Sequence, residues 1–364
     1  MKHWYVEPKY RKKVYSMKRL GTGIAVFGAF GNKKNKLGGQ TVKNQELYKF
    51  LKNNYSGEIS IYDTDKLKKN KLKIFSIFSL LKNNDIIILT VSKKGYQYIF
   101  PFIFFLNYIY QRKICEIVIG GTRHEFVKSY RIYRWMSRHN KRIYVQSMKM
   151  CSEYTQMGFS NCRYLPSFKT LDPITEIDKK RFYSETLQVC TFSRVERSKG
   201  IEIAIEAIKM LNREGINIEL VIYGPIDSNY EGTFCRIKNQ FPHYISYGGV
   251  IHPLKTTAVL KKYAILLFPT YHDNEGFPSA LIDGFSAGLP VIASKAGAIP
   301  EIITDGKQGL LLRETNAEDL AEKIRFLANN RDKLALMAEE SLKQYQNYCT
   351  ERVLHDFLED IEAT

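Results

Sequence analysis

The chain predicts an α/β protein made of two Rossmann-like units, and three observations carry that reading. Its 364 residues exceed what one ordinary core accommodates. Short apolar runs alternate with helix-length amphipathic stretches through both halves, which is the mark of parallel sheets covered on both faces. A polar stretch bracketed by prolines, SFKTLDPITEIDKK, separates the two series and reads as a hinge. The expected organisation is a first domain over 1–168, a linker over 169–184, a second domain over 185–340, and a terminal segment over 341–364.

Composition narrows the class. With 44% hydrophobic and 25% charged residues the chain is globular rather than disordered. Six cysteines contain no C-x-x-C pair, so neither a zinc knuckle nor a disulfide framework is implied, and a reducing cytoplasm fits. Residues 1–182 carry 36 basic and 12 acidic side chains, against 19 and 25 in 183–364. A half so basic suits nucleic acid, an anionic membrane or a phosphorylated acceptor, and an ordinary solvated lysine-rich surface equally. None of the usual nucleic-acid recognition motifs is present. Met1–Leu20 lacks the apolar core of a signal peptide. Ile99–Leu106 is too short to span a bilayer, which needs about 20 residues. It reads first as a buried helix and second as an apolar face dipped into a membrane surface, where Lys9–Arg19 would add attraction.

Along the first half, Gly23–Phe27 is a buried strand that opens into a glycine-rich loop with Gly28, Gly31, Gly38 and Gly39, where backbone can approach a ligand closely. An amphipathic helix follows over Thr41–Lys52. Strands are expected at Ile59–Tyr62, Asp85–Thr90 and Ile114–Ile119, with helices near Leu72–Leu81 and Tyr96–Tyr110. The loop GGTRHEF then places Arg123 and His124 at a strand end, where ligands of such sheets collect. Tyr144–Phe168 reads as strand, helix and short strand.

The second half restarts with strand Leu187–Phe192 and the loop SRVERSKG. Arg194 and Lys199 lie there between a strand and the helix Ile201–Arg213, so they can reach a pyrophosphate. Strand Ile218–Tyr223 runs into Gly224, and a helix follows near Gly232–Gln240. Strand Ile245–Tyr247 precedes Ile251, and helix Lys255–Tyr263 precedes strand Ile265–Pro269. Helices over Ala317–Asn329 and Lys333–Glu362 end the pattern.

The most informative stretch is Tyr271–Leu312, YHDNEGFPSALIDGFSAGLPVIASKAGAIPEIITDGKQGLLL. Glu275 and Asp283 stand with seven residues between them, the first three forming a Gly276-Phe277-Pro278 turn. Pro278 suits the first position of a helix that runs to about Ala287 and stops at Gly288. The amides of Ser279 and Ala280 would then point out of the positive end of that helix and favour a phosphate. Carboxylates beside it would accept from paired sugar hydroxyls.

EGFPSALIDGFSAGLPVIAS followed by GAIPEIITDGKQGLLL resembles the nucleotide-sugar site of retaining glycosyltransferases of family 4, the glycosyl transferases group 1. That family pattern is Glu, seven residues, Glu, and here Asp283 holds the second place. The resemblance implies the GT-B fold, two Rossmann-like domains whose parallel sheets face each other across a cleft, with a last helix that crosses back to the first domain. It implies that Glu275 contacts the transferred sugar, that Asp283 grips the ribose, and that Arg194 and Lys199 hold the donor diphosphate. It also places Gly224 near the phosphates and Ile251 near the base. Gly276, Phe277, Pro278, Ser279 and Ala280 would line the donor. LGGQTVKNQELYKFL is similar to the first-domain loop of polysaccharide-building members, which brings Gly38 and Gly39 to the site. Retaining members often have a histidine that contacts the sugar or acceptor, which the resemblance assigns to His124, with Arg123 beside it for an acceptor phosphate.

The expected function is retaining transfer from a nucleoside-diphosphate sugar, UDP as the expected nucleotide, to a glycan or lipid-diphosphate-linked acceptor in capsule or exopolysaccharide assembly. No cofactor and no metal are expected. Asp63-Thr64-Asp65 also fits the Asp-x-Asp metal site of the other large glycosyltransferase fold, but the resemblance points to the metal-independent architecture. The enzyme would work in the cytoplasm, on the inner membrane face. The rival readings are a sugar-nucleotide 2-epimerase of the same fold and a basic nucleic-acid-binding protein.

Overall fold

The computed structural model describes residues 23–31, 39–67, 74–272 and 275–363. Gly38 and Lys9–Arg19 lie outside the described residues.

The apolar runs become two sheets. The first holds β1 (Ile24–Gly28), β2 (Ile59–Asp63), β3 (Ile86–Leu89), β4 (Lys113–Val118), β5 (Arg142–Val145) and β6 (Cys162–Tyr164). The second holds β7 (Leu187–Phe192), β8 (Ile218–Tyr223), β9 (Ile245–Gly249), β10 (Ile265–Phe268), β11 (Val291–Ala293) and β12 (Gly309–Leu311). Their orders are β2-β1-β3-β4-β5-β6 and β12-β11-β10-β7-β8-β9. Each pairing is parallel, so the two Rossmann-like units expected of the sequence are present. In the second sheet the order reverses between β7 and β10. Connections leave those two strands in opposite directions and open a crevice at their carboxyl ends, the usual ligand position in such sheets.

Both faces of the first sheet are covered, by different parts of the chain. Alternate strand residues Ala25, Phe27, Ile87 and Leu89 meet helices Ser76–Asn83, Lys93–Tyr110 and Gly121–Ser129. Ile24, Val26, Ile86 and Ile88 meet helix Gly39–Asn54 and the last helix, Thr350–Ala363. That last helix buries Val353, Leu354, Phe357 and Ile361. Phe357 stacks edge-on against Tyr144 of β5 at 4.9 Å, and Asp360 accepts from the Tyr144 hydroxyl at 2.5 Å.

Two elements differ from the sequence expectation. Lys333–Glu362 is not one helix but two, Arg331–Tyr345 and Thr350–Ala363, and only the second lies on the first sheet. The break follows from Tyr345 and Tyr348, which are both buried. The Tyr348 ring packs 5.0 Å from Phe277, and the Tyr345 hydroxyl donates to the Leu171 carbonyl at 2.9 Å, anchoring the turn to the second unit. GGTRHEF is not a loop: helix Gly121–Ser129 starts within it, directly after β4.

The units meet through charged groups. Lys169 Nζ donates to both oxygens of Asp283 at 2.6 and 2.7 Å. Glu301 accepts from the amides of Met148 and Lys149 at 2.6 and 2.9 Å, capping helix Met148–Gln156 of the first unit from the second. Glu46 Oε1 accepts the Thr170 amide at 3.2 Å, while its Oε2 is buried without a partner. Burial pushes Glu46 up to about 7 and Lys43 down to about 8.

These shifts make the junction pH-sensitive. Glu46 binds its proton more tightly folded than unfolded, so its contribution is full below the ordinary carboxylate range and is lost as pH rises through about 7. Lys43 works in the opposite sense, its contribution being lost as pH falls through about 8. Glu46→Gln should therefore flatten the decline in stability between about pH 5 and 7, recovering up to about 2 kcal/mol at neutral pH. Thermal unfolding followed across that range checks this, and parallel wild-type and variant curves would assign the decline to other groups.

Candidate functional site

The crevice between β7 and β10 is built by two glycines. The loop after β7 turns at Gly200, whose φ is +69°, and a Cβ there would sit 2.0 Å from the Pro269 carbonyl oxygen after β10. The loop after β11 turns at Gly297, φ +52°, where a Cβ would lie 1.8 Å from the Glu275 carbonyl oxygen. Any larger residue would push these loops apart, and the left-handed backbone would be strained besides. The contact is held by the Tyr271 amide on the Ser198 carbonyl at 2.9 Å and the Ala298 amide on the Glu275 carbonyl at 3.2 Å.

This closeness brings Lys199 and Glu275 together. Lys199 Nζ lies 2.5 Å from Glu275 Oε2, and the two side chains are 13% and 10% exposed. The Thr270 hydroxyl, itself buried, stands 3.1 Å from the same carboxylate oxygen and 3.0 Å from the Ser198 carbonyl. A carboxylate fixed by a lysine and a threonine keeps its other oxygen free of this pair. A lysine so placed is a point charge at the mouth of the switch-point crevice.

Beside them begins helix Ser279–Ser286. Pro278 is the residue before the helix rather than its first residue, and no side chain caps the first turn. Ser279 and Ala280 are half-buried, as is Gly276, whereas Phe277 is buried against Tyr348. The first amides of that helix therefore face the crevice end without a side-chain acceptor of their own, an arrangement that suits an anion.

Arg194 does not join the Lys199–Glu275 pair in this structure. Its guanidinium is 59% exposed and stands 3.6 Å from Asp227, beyond β8. Its backbone is nevertheless close to Gly224: a Cβ on Gly224, φ +137°, would lie 1.7 Å from the Ser193 carbonyl oxygen and 3.4 Å from the Arg194 amide nitrogen. Gly224 in turn donates its amide to Gly249 at the end of β9 at 2.9 Å. The loops after β7, β8 and β9 thus form one rim, and half-buried Ile251 continues it.

Asp283 is placed differently from expectation. It is 1% exposed, both its oxygens are taken by Lys169, and burial raises its pKa against the pull of that lysine. In this structure both carboxylate oxygens are engaged by the hinge lysine. One methylene shorter than glutamate, the side chain remains inside the helix layer and closes the interdomain junction.

Arg123 and His124 require a similar correction. Arg123 is 1% exposed, pairs with Glu116 of β4 and lies 4.1 Å over the Tyr96 ring. His124 Nε2 lies 2.6 Å from Glu153 Oε2 and its ring packs against Tyr154. Because they stand on a helix and not in a loop, both turn into the interior, where Glu116 needs a counter-charge. In this structure both are held inside the first unit.

Gly39 opens helix Gly39–Asn54, and a Cβ there meets nothing within 4 Å. Its neighbour Gln40 donates to the Thr90 carbonyl after β3, across the first sheet's own switch point. Asp63 ends β2 with its Oδ1 accepting the amides of Phe30 and Asp65 at 3.3 and 3.1 Å, so half of the Asp-x-Asp motif is occupied in a turn. Sequence reasoning passed over Thr270, Lys169 and Glu301. For Lys169 the signal was present, as the first lysine of the hinge, opposite a carboxylate that the helix would bury.

Residues 173–344 match the family model Glycosyl transferases group 1. The capsular polysaccharide biosynthesis glycosyltransferase CapM of Staphylococcus aureus is 19% identical over 227 residues, 61% of this chain and 58% of that protein. A Campylobacter jejuni enzyme, N,N'-diacetylbacillosaminyl-diphospho-undecaprenol alpha-1,3-N-acetylgalactosaminyltransferase, is 26% identical over 204 residues, 52% of this chain and 50% of that one. The chain spans about half the length of the curated relatives it matches. Among solved structures, Anabaena Alr3699/HepE in complex with UDP superposes with a TM-score of 0.74 at 14% identity, covering 94% of this chain and 100% of that one. That likeness carries the fold, which is GT-B. Residues 173–344 thus form a glycosyl transferases group 1 domain.

Proposed function

We propose that this protein is a retaining glycosyltransferase that moves a hexosyl group from a UDP-sugar to a glycan or lipid-diphosphate-linked acceptor in capsule or exopolysaccharide assembly. The observation that carries the reading is the Lys199–Glu275 pair at the switch point of the second sheet, beside the side-chain-free start of helix Ser279–Ser286. The UDP complex of the structural neighbour supports the donor, the capsular polysaccharide role in one relative's name the setting, and the diphospho-undecaprenol in another's the lipid-linked acceptor.

In this reading the diphosphate enters between Lys199, the exposed Arg194 and the amides of Ser279 and Ala280, with Gly224 leaving room for its oxygens. The incoming anion competes with Glu275 for Lys199, and the released carboxylate accepts from hydroxyls of the transferred sugar. The base rests along Ile251, and the backbone at Gly39 approaches the donor from the first unit. The acceptor hydroxyl attacks the anomeric carbon on the face from which the diphosphate departs. The bond between that carbon and the phosphate oxygen breaks, and the leaving phosphate takes the acceptor proton. Lys199 and Arg194 stabilise the charge that grows on the diphosphate, a role strongest in a site closed to water. Asp283 contributes by fixing Lys169 at the hinge, and the reaction takes place at the cytoplasmic face of a membrane.

Arg194→Ala should lower kcat about 10²-fold while changing stability by less than about 0.5 kcal/mol, because the side chain is exposed. Lys199→Ala should lower kcat about 10²- to 10³-fold and abolish the rise in Tm that UDP gives the wild type. Turnover and UDP-dependent melting measured on the two variants check this, and wild-type values for both would remove the pair from catalysis.

Gly39→Val leaves the fold intact, since the new side chain starts in open space, yet should cut transfer at least about tenfold by blocking close approach of the donor. Full activity in a folded Gly39→Val enzyme would take the loop out of the mechanism.

A further inference from the structure

Apart from Lys93, Lys94, Gln97 and Asn107, helix Lys93–Tyr110 carries apolar or aromatic side chains on both its inner and outer sides, yet it is covered on one side only. Tyr96, Ile99, Phe100 and Ile103 pack into the first core. Tyr98, Phe105, Tyr108 and Ile109 fall on the opposite side of the helix and are 76%, 65%, 85% and 74% exposed. A helix hydrophobic all round belongs inside a protein or against another apolar phase. Among the described residues no helix is long and apolar enough to cross a membrane.

The exposed side continues onto its neighbours. Phe78 of helix Ser76–Asn83 packs edge-on against Phe102 at 5.6 Å, and Trp135 of helix Arg131–Arg138 against Phe104 at 5.2 Å. Trp135 remains 48% exposed and Phe75, just before the first of these helices, 63%. The result is one face of three helices, on the side of the first sheet away from helix Thr350–Ala363. Contiguous apolar faces of this extent mark an interaction site.

Charge selects the partner. The three helices contain no aspartate or glutamate, whereas Lys82, Lys93, Lys94, Arg131, Arg134 and Arg138 stand on them. A second copy docked on this face would set six cations against six. Nucleic acid binds a basic groove with aromatic platforms, and this is an outer helix layer with aliphatic Ile109 at its ridge. Aromatic rings and aliphatic side chains ringed by cations, with no acids, fit the boundary between acyl chains and negative headgroups.

We propose that this three-helix face docks the protein on an anionic lipid bilayer, lying in its surface without spanning it. The docking rests on the transferase reading only in giving the face a purpose, which is to hold the cleft beside a lipid-linked acceptor. Binding to lipid needs no turnover and is tested apart from it.

The experiment is flotation of the full chain with vesicles of phosphatidylcholine alone and of phosphatidylcholine with 30% phosphatidylglycerol, without donor. We expect at least tenfold tighter partition to the anionic vesicles, weakened by salt, and at least a tenfold loss in the Tyr98→Ser/Phe105→Ser/Ile109→Ser variant. That variant should keep its wild-type Tm and its UDP-dependent rise in Tm, since the three side chains are exposed and stand outside the donor site. A second variant, Lys93→Glu/Lys94→Glu, should lose anionic binding without changing partition to neutral vesicles. The proposal is overturned if both variants bind like the wild type, if neutral and anionic vesicles bind alike, or if a single-stranded oligonucleotide binds more tightly than the vesicles. A failure of flotation alongside an intact UDP response would sink the docking and leave the transferase reading standing.

Discussion

The contact between the loops after β7 and β10 is the constraint on which the rest of the site depends. The reversal of strand order between these two neighbours opens the crevice. Gly200 lets the Pro269 backbone approach within the space of a missing side chain, and Gly297 does the same for Glu275. Only because both loops are so close can Lys199 reach Glu275 and Thr270 steady the same carboxylate. A cation and an anion almost sealed from water cost desolvation, which their mutual attraction offsets only with good geometry and further hydrogen bonds. A site that holds such a pair beside the uncapped start of a helix is one in which a charged ligand can exchange with it.

Around that contact, the second unit gathers the loops after β7, β8 and β9 into a rim, and the hinge ties the rim to the first unit. Lys169 on Asp283, Thr170 on Glu46 and Glu301 on the start of helix Met148–Gln156 all cross the junction. They are polar contacts between units, not an apolar seam, so opening the cleft exposes groups that water can satisfy. Relative motion of the units is the natural expectation for such an interface.

The fold was largely legible in the sequence because parallel strands buried on both faces are uninterrupted apolar runs, as in Ile86–Leu89 or Ile265–Phe268. Three-residue strands such as Val291–Ala293 and Gly309–Leu311 escaped because their length carries no period. The break between the last two helices escaped because tertiary contacts of Tyr345 and Tyr348 decide it, not any local breaker. In the site, Lys199 and Glu275 were readable from their place at strand ends. The burial of Arg123 and His124 was not, since the acid that draws Arg123 inward, Glu116, sits in the middle of an apolar strand. Asp283 looked like a donor contact from spacing, and only the hinge lysine shows why the shorter acid turns elsewhere.

The last helix has a consequence for how the chain is made. Thr350–Ala363 supplies Val353, Leu354, Phe357 and Ile361 to a core whose strands are all translated before residue 165. While the ribosome is still producing the second unit, one side of the first sheet is covered only in part, by helix Gly39–Asn54, and the apolar residues left over are open to chaperones or to aggregation. The second unit contains its own core and can mature meanwhile. The half that is synthesised first is therefore the half that finishes folding last.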